Sequence, residues 1–431
     1  MEHRYFKPFP LPTEPHFRDK LFDIRNYAAF PGGIVKNTRA IAAAIHDCHK
    51  SGGGTVLVPE GEWLTGAIRM ESNVHLHLEK GAELRFSPDA RDYLPVCLVR
   101  VQGVTCYNYR PMLGGEEADN IAVTGEGILN GQGEHFWQWA NNRTGLDDSC
   151  WNKNRAGYTS KDRVYGTEEA SIRPYLVQFT KCKNLWLEGF TVVNSPFWSV
   201  APFACDGVII RGLQFKNDRK NGRNTDCVNL DSCRNCLVEK IQVLESADDC
   251  ICMKSGRAYD GVFLDIPAEN VVIRDCDLSN SQGGGIVIGS ETAGGIKNCL
   301  VEHIRVADCG TMVTFKSQPK NRGTVENIEI HGLRGESVRT VIRIWYYEYR
   351  SPIVHVEEGI SPFKNIEITD ITAKKSKLAL VINGCEGAEF GNIHLENIHI
   401  GEAETVSDIS HEGSLTMKDV VVGSTSLDAP V

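Results

Sequence analysis

No apolar run in this chain approaches the ~18 residues that a membrane-spanning helix needs, so no membrane partner is expected. Its start, Met1-Glu2-His3-Arg4-Tyr5, is charged and lacks the apolar core of a secretory leader, which leads us to expect a cytoplasmic protein, or a secreted or periplasmic one if a leader has been removed. Basic stretches interleaved with aromatics are also missing, and the formal net charge is −10, so nucleic acid is not expected as a partner. An acidic chain can still bind an acidic ligand by placing a few cations locally. The short cysteine framework of a secreted mini-protein is absent as well, and the 15 cysteines are odd in number. Cys233 and Cys236 are CxxC-spaced with Cys250 and Cys252 nearby, yet no His or second CxxC completes a zinc set. Buried packing is therefore expected for these thiols, and neither metal nor cofactor is implied.

What is present is length, glycine and repetition. At 431 residues the chain exceeds the ~250–300 at which single cores stop growing, so it is two domains or a solenoid. The 41 glycines suit a chain with many turns. Residues 21–86 read as a cap: a strand at Leu21-Phe22-Asp23-Ile24, a helix from Ala40 to Cys48 behind Asn37-Thr38, a stop at Gly52-Gly53-Gly54, and a strand at Thr55-Val56-Leu57-Val58-Pro59. Farther on, one phrase recurs: Asn followed by alternating apolar residues. It opens at Asn184, Asn235, Asn270, Asn298, Asn327, Asn365 and Asn392, with a degenerate copy at Gly207, and successive copies lie 23 to 38 residues apart. Alternation means strands with one buried face. A period of that length means stacked coils rather than a sandwich, whose strands recur every ~8–12 residues. Asn at each bend can satisfy neighbouring backbone groups, and in register such residues form a ladder. These signals predict an all-β solenoid with a short helix-containing N-terminal cap. We divide it into an N-terminal extension over 1–20 and one solenoid domain over 21–431, since no linker or composition break interrupts it.

In such a stack residues one coil apart become neighbours about 4.8 Å apart. Asp226 and Asp248 are 22 residues apart, and Asp249 follows directly, so three carboxylates can meet on one outer face. Like charges raise one another's pKa, and one raised plus one ionised carboxyl is what a glycosidase uses. Three solvated surface aspartates would read the same, so from this feature alone both readings stand.

Several motifs in fixed order narrow the choice. Asn224-Thr225-Asp226, Ala247-Asp248-Asp249-Cys250-Ile251, Met253-Lys254-Ser255-Gly256 and Gly285-Ile286-Val287-Ile288-Gly289-Ser290-Glu291 resemble the polygalacturonase family of glycoside hydrolases. So do Asn194-Ser195-Pro196-Phe197-Trp198, and Gly125-Glu126-Gly127 through Gly131-Gln132-Gly133 with Trp137. The resemblance covers about residues 20–350. It implies a right-handed parallel β-helix that hydrolyses α-linked galacturonan with inversion, on a pectic oligo- or polysaccharide. It further implies Asp248 as general acid, Asp226 and Asp249 as the pair activating water, and Asn224, Lys316 and Tyr347 around the sugar. Gln282 is placed with the substrate-binding residues.

Two positions depart from the family pattern. Gly284 stands where the family has a His, and Thr314 where it often has an Arg two residues before its Lys. Loss of two positioning groups points to a short, substituted or rhamnose-containing pectic substrate, with Gly284 leaving room for a bulkier sugar. Lys254 reads equally as a substrate ligand or a brace for the acidic cluster. Glu291 is expected to bond backbone, while Trp345, Tyr346 and Tyr349 form an aromatic group expected against sugar. His303 and His331 are expected to be structural. The stretch from Arg100 to Asn120 reads as an insertion closing one end of a groove, hence exo action. The rival functions are a Ca²⁺-dependent pectate lyase and a non-catalytic carbohydrate-binding β-helix.

Overall fold

The computed structural model describes residues 3–139, 146–167, 170–347 and 359–428. Consecutive strands along the chain pair in parallel with strands one coil away, as a right-handed β-helix requires. Strand Lys183–Glu188 lies on Asp206–Arg211, that on Arg234–Glu239, and that on the opening of Ala268–Ile288. Alternation dictates the core: in Val325–His331 and Phe363–Asn383, Ile328, Ile330, Ile366 and Ile368 point inward and are fully buried.

The recurring Asn forms the expected ladder. The amide of Asn184 donates to Asn120, Asn270 to Asn235, Asn298 to Asn270, Asn365 to Asn327, and Asn392 to Asn365, at 2.7–3.0 Å. Each sits in the left-handed region, with φ between 51° and 57°, which Asn tolerates better than most residues. Gly207 takes the same backbone form at φ 73°, and there Asn235 donates to Asp206 instead. Cys182, Cys205, Cys233 and Cys236 lie buried in the main core of the coils. All 15 thiols are unpaired, and Cys182, Cys205 and Cys233 donate to backbone carbonyls. Cys233 and Cys236 are fully buried packing residues.

The cap helix is Thr38–Lys50, longer at both ends than expected. Asn37 precedes it but does not cap it, because its amide is committed to Phe30, Val35 and Leu64. Residues 3–20 run along the outside of the stack. Glu329 accepts from the Tyr5 and Phe6 backbone at 2.6 and 2.9 Å, Phe6 packs on Leu237, Val272 and Leu300, and Phe17 lies against His75. Lys7 donates to Asn298 and so replaces the rung that Asn327 would supply.

A second layer covers the N-terminal part of one face. Strands Cys97–Val101 and Val104–Asn108 form an antiparallel hairpin. The expected insertion over 100–120 is thus displaced toward the N-terminus, since Leu113–Glu116 has already rejoined the stack against Val177–Thr180. Helices Leu146–Arg155 and Ala258–Leu264, which the sequence reading did not foresee, support the hairpin. Val99, Val101, Cys106, Tyr165, Tyr175, Phe197 and Trp198 make its own small core.

Candidate active site

Strands Val228–Asp231 and Ile251–Lys254 pair in register, Val228 with Ile251. Just upstream, Cys227 donates to the Asp249 carbonyl at 3.0 Å, which sets Asp226 beside Asp249. The lateral partner of Asp226 is therefore Asp249, one residue on from the pairing that spacing suggested, and Asp248 flanks both. The next coil presents Gly284, whose N–H donates to Asp249 at 2.7 Å.

The three carboxyls are not equivalent. Asp249 is 5% exposed; burial works against its charge, but Lys316, at 2.8 Å, and Lys254 outweigh it and hold its pKa below the usual range. Asp248 is half-buried, and burial followed by the Asp249 charge pushes it up to about 6. Asp226 is 3% exposed, and burial followed by the Asp248 charge drives it well above the carboxylate range. One carboxyl is thus held ionised while two neighbours favour their protons.

The supporting groups come from every motif singled out in the sequence. Asn224 donates to Asp248 at 3.4 Å and accepts from Arg173 at 2.8 Å. Arg173, which no sequence pattern flagged, also bonds the carbonyls of Pro196 and Arg223 and lies 4.4 Å over the Phe197 ring. Gly133 lets the chain approach Ser195, where a Cβ would lie 2.5 Å from its carbonyl, and Trp137 donates to the same oxygen at 2.9 Å. The Asn-Ser-Pro-Phe-Trp stretch thereby places Trp198 beneath Lys254, 4.6 Å from ring centre to ammonium.

Of the two readings of Lys254, the geometry fits the brace. Its ammonium is buried, bonded to Glu291 at 2.9 Å and to the Gly289 carbonyl, and 4.0 Å from Asp226. Glu291 in turn pairs with Arg257, so it holds two cations rather than the backbone partner expected of it. Lys316 is partly exposed and faces the site. Tyr347 adjoins it, its N–H donating to the Ser317 carbonyl and its ring stacking on Trp345 at 4.9 Å. Tyr346 points the other way, buried against Phe363 and Phe390, so it is core rather than a sugar contact. Tyr349 lies outside the described residues. Gln282 stands exposed at the rim, its amide tied to the Arg219 carbonyl at 2.5 Å. His331 is buried between Glu329 and Thr369, and His303 is exposed beside Asp275.

Gly284 does not open space for a sugar. It is buried, and a Cβ there would lie 2.6 Å from Thr311 and from Val287. Thr311 and Thr314 share a 2.6 Å hydrogen bond beside it. The expectation of a bulkier substituent at this point is therefore withdrawn.

As for a metal, Asp226, Asp249 and Cys252 each bring one donor atom within 4.8 Å of the others. Lys254 and Lys316 already face those carboxylates, and burial raises the Cys252 thiol far above a thiolate-forming pKa. A divalent cation would meet two fixed ammoniums, which disfavours the lyase chemistry.

Comparison with known proteins gives the family of the chain. The model of glycosyl hydrolases family 28 matches residues 48–414. The chain belongs to that family. A crystal structure of a hyperthermoactive exopolygalacturonase from Thermotoga maritima is 30% identical, with a TM-score of 0.87, covering 96% of this chain and 94% of that one. A probable polygalacturonase of Vitis vinifera is 25% identical over 382 residues, 85% of this chain and 72% of its own length. An exo-poly-alpha-D-galacturonosidase of Dickeya chrysanthemi is 22% identical over 444 residues, 94% of this chain and 72% of its own. As a family 28 member the protein is a glycoside hydrolase, and the cluster just described supplies what glycoside hydrolysis needs: a protonated carboxyl, an ionised carboxylate and a cation beside them.

Proposed function

We propose that the protein is an exo-acting hydrolase of α-linked galacturonan oligosaccharides that inverts the anomeric centre. Asp248, the least buried of the three and raised by its surroundings, donates the proton to the leaving oxygen. Asp249, ionised beside Lys316, deprotonates water, and Asp226 orients that water from the same side. Lys316 offers a compact cation to a uronate carboxylate.

The observation that carries exo action is the closed end of the groove. Arg100 exchanges hydrogen bonds with Gln178 at 3.0 and 3.1 Å, bonds Asp231 at 3.1 Å and lies 4.5 Å over Phe203. Gln178, Phe203 and Asp231 belong to the coils preceding or carrying Asp226, so the hairpin sits across the path a longer chain would follow. The Thermotoga exopolygalacturonase and the Dickeya exo-poly-alpha-D-galacturonosidase are in keeping with this reading.

The test is a time course on defined oligogalacturonides and on long polygalacturonate, read by mass and by proton NMR. Monomer should be the first product from every substrate, initially as the β anomer. Mixed oligomers from the start would refute exo action, an initial α anomer would refute inversion, and an ultraviolet-absorbing unsaturated product would mean elimination.

A further inference from the structure

The cation that the sequence lacks at Thr314 is present one coil farther on. In the register of the stack, Thr314 lies beside Arg343 and Lys316 beside Trp345. Ile342 and Ile344 are fully buried in the core, so Arg343 and Trp345 project from the opposite face of that strand, the face that carries Lys316. Arg343 is half-buried, and its guanidinium lies 5.2 Å over Trp345, which stacks in turn on Tyr347.

No carboxylate among the described residues pairs with Arg343. Its one protein hydrogen bond is a 3.2 Å contact to the Thr340 hydroxyl, and its Nε is buried without a partner. Burial, and then the like charge of Arg339, lower its pKa. Arg100, Lys254 and Lys316 are by contrast each committed to a carboxylate. Two neighbours of Arg343 share its state: Trp345 Nε1 and Asn383 Oδ1 are buried with nothing to bond, and the register sets Trp345 beside Asn383. Buried polar atoms without partners are costly, and two of them near a guanidinium whose own Nε is also unpartnered describe a site made for an anion that also carries hydroxyls.

We propose that Arg343 binds the carboxylate of the second uronic acid on the leaving-group side, with Trp345 and Asn383 bonding hydroxyls of that same sugar. This rests on the exo reading above. With the groove closed at the hairpin, the substrate leaves over the coils that follow the aspartates. A pyranose unit in an extended chain advances about as far as one coil. Lys316 reaches back to Asp249 and serves the first sugar beyond the cleaved bond, so Arg343, one coil on, meets the next.

The test compares di- and trigalacturonic acid as substrates of the wild type and of Arg343→Gln. Digalacturonate ends before Arg343 and should be turned over equally by both. For trigalacturonate the variant should raise KM by ~10- to 100-fold, the range of a charge-assisted hydrogen bond, with kcat little changed. Arg343→Lys should recover part of the loss, since it keeps the charge but not the planar fork. A trimer whose far carboxyl is methyl-esterified should bind the wild type as weakly as the plain trimer binds the variant. Equal losses on dimer and trimer, or no loss on the trimer, would overturn the proposal. A wild type inactive on both oligosaccharides would instead sink the functional reading on which it rests.

Discussion

The same coils present two very different outer surfaces. Along one bend the side chain repeats almost unchanged: Asn184, Asn270, Asn298, Asn365 and Asn392 share one backbone conformation, and each donates to an Asn one coil back. Along the groove hardly any position repeats: Asp226, Asp249, Gly284 and Thr311 follow one another in one column, and Asp231, Lys254, Gly289, Lys316 and Trp345 stand in successive coils of another. The repeating surface satisfies backbone groups and holds coils in register. The non-repeating one gathers charges that repeated copies would make intolerable, because a column of stacked aspartates could not all stay ionised. Chemistry in a solenoid is therefore found where its period breaks.

Altering each surface should have opposite consequences. The largest effect is expected from Asp248→Asn: kcat should fall at least ~100-fold, as for loss of a general acid, while the melting temperature is not lowered, since the change removes a carboxyl the site disfavours in charged form. Steady-state kinetics beside a thermal melt would show it, and near-normal turnover would remove Asp248 from its role. Asn270→Ala should do the reverse. It leaves the amide of Asn298 and the oxygen of Asn235 without their rungs and forces Ala to a φ of 55°, for a destabilisation of about 2–3 kcal/mol, with kcat unaltered. Asn270→Gly should cost less, because Gly accepts that φ freely. If the alanine variant melts like the wild type, the ladder does not hold the coils as described.

This contrast also explains what was legible in the sequence. The Asn phrase and its alternating apolar residues gave the coils and the ladder, since each copy obeys the same local rule. The three aspartates and Lys316 were legible through ordered motifs. What long-range packing decides was not. Spacing suggested Asp248 as the one-coil neighbour of Asp226, whereas the register chose Asp249. Gly284 looked like open space, yet Thr311 and Val287 close it. Arg173 reaches Asn224 from 51 residues away, and no local pattern marks it. Arg343 carried a usable signal that went unread: it is a charged residue at an outward position of a strand that must lie beside the one carrying Lys316.

The central claim is that the site keeps Asp248 protonated and Asp249 ionised in one water-poor cluster. It is tested most directly by the pH dependence of kcat/KM on digalacturonate, which reports the free enzyme. Asp248 acts in its protonated form and is raised to about 6, so kcat/KM should decline as pH rises through that value. Asp249 acts ionised and is lowered, so the acidic limb should fall below the ordinary carboxylate range of ~3.9. In Asp248→Asn the alkaline decline should vanish from the residual rate. A wild-type profile flat from about pH 5 to 8, or a decline near 6 that survives in Asp248→Asn, would contradict the account.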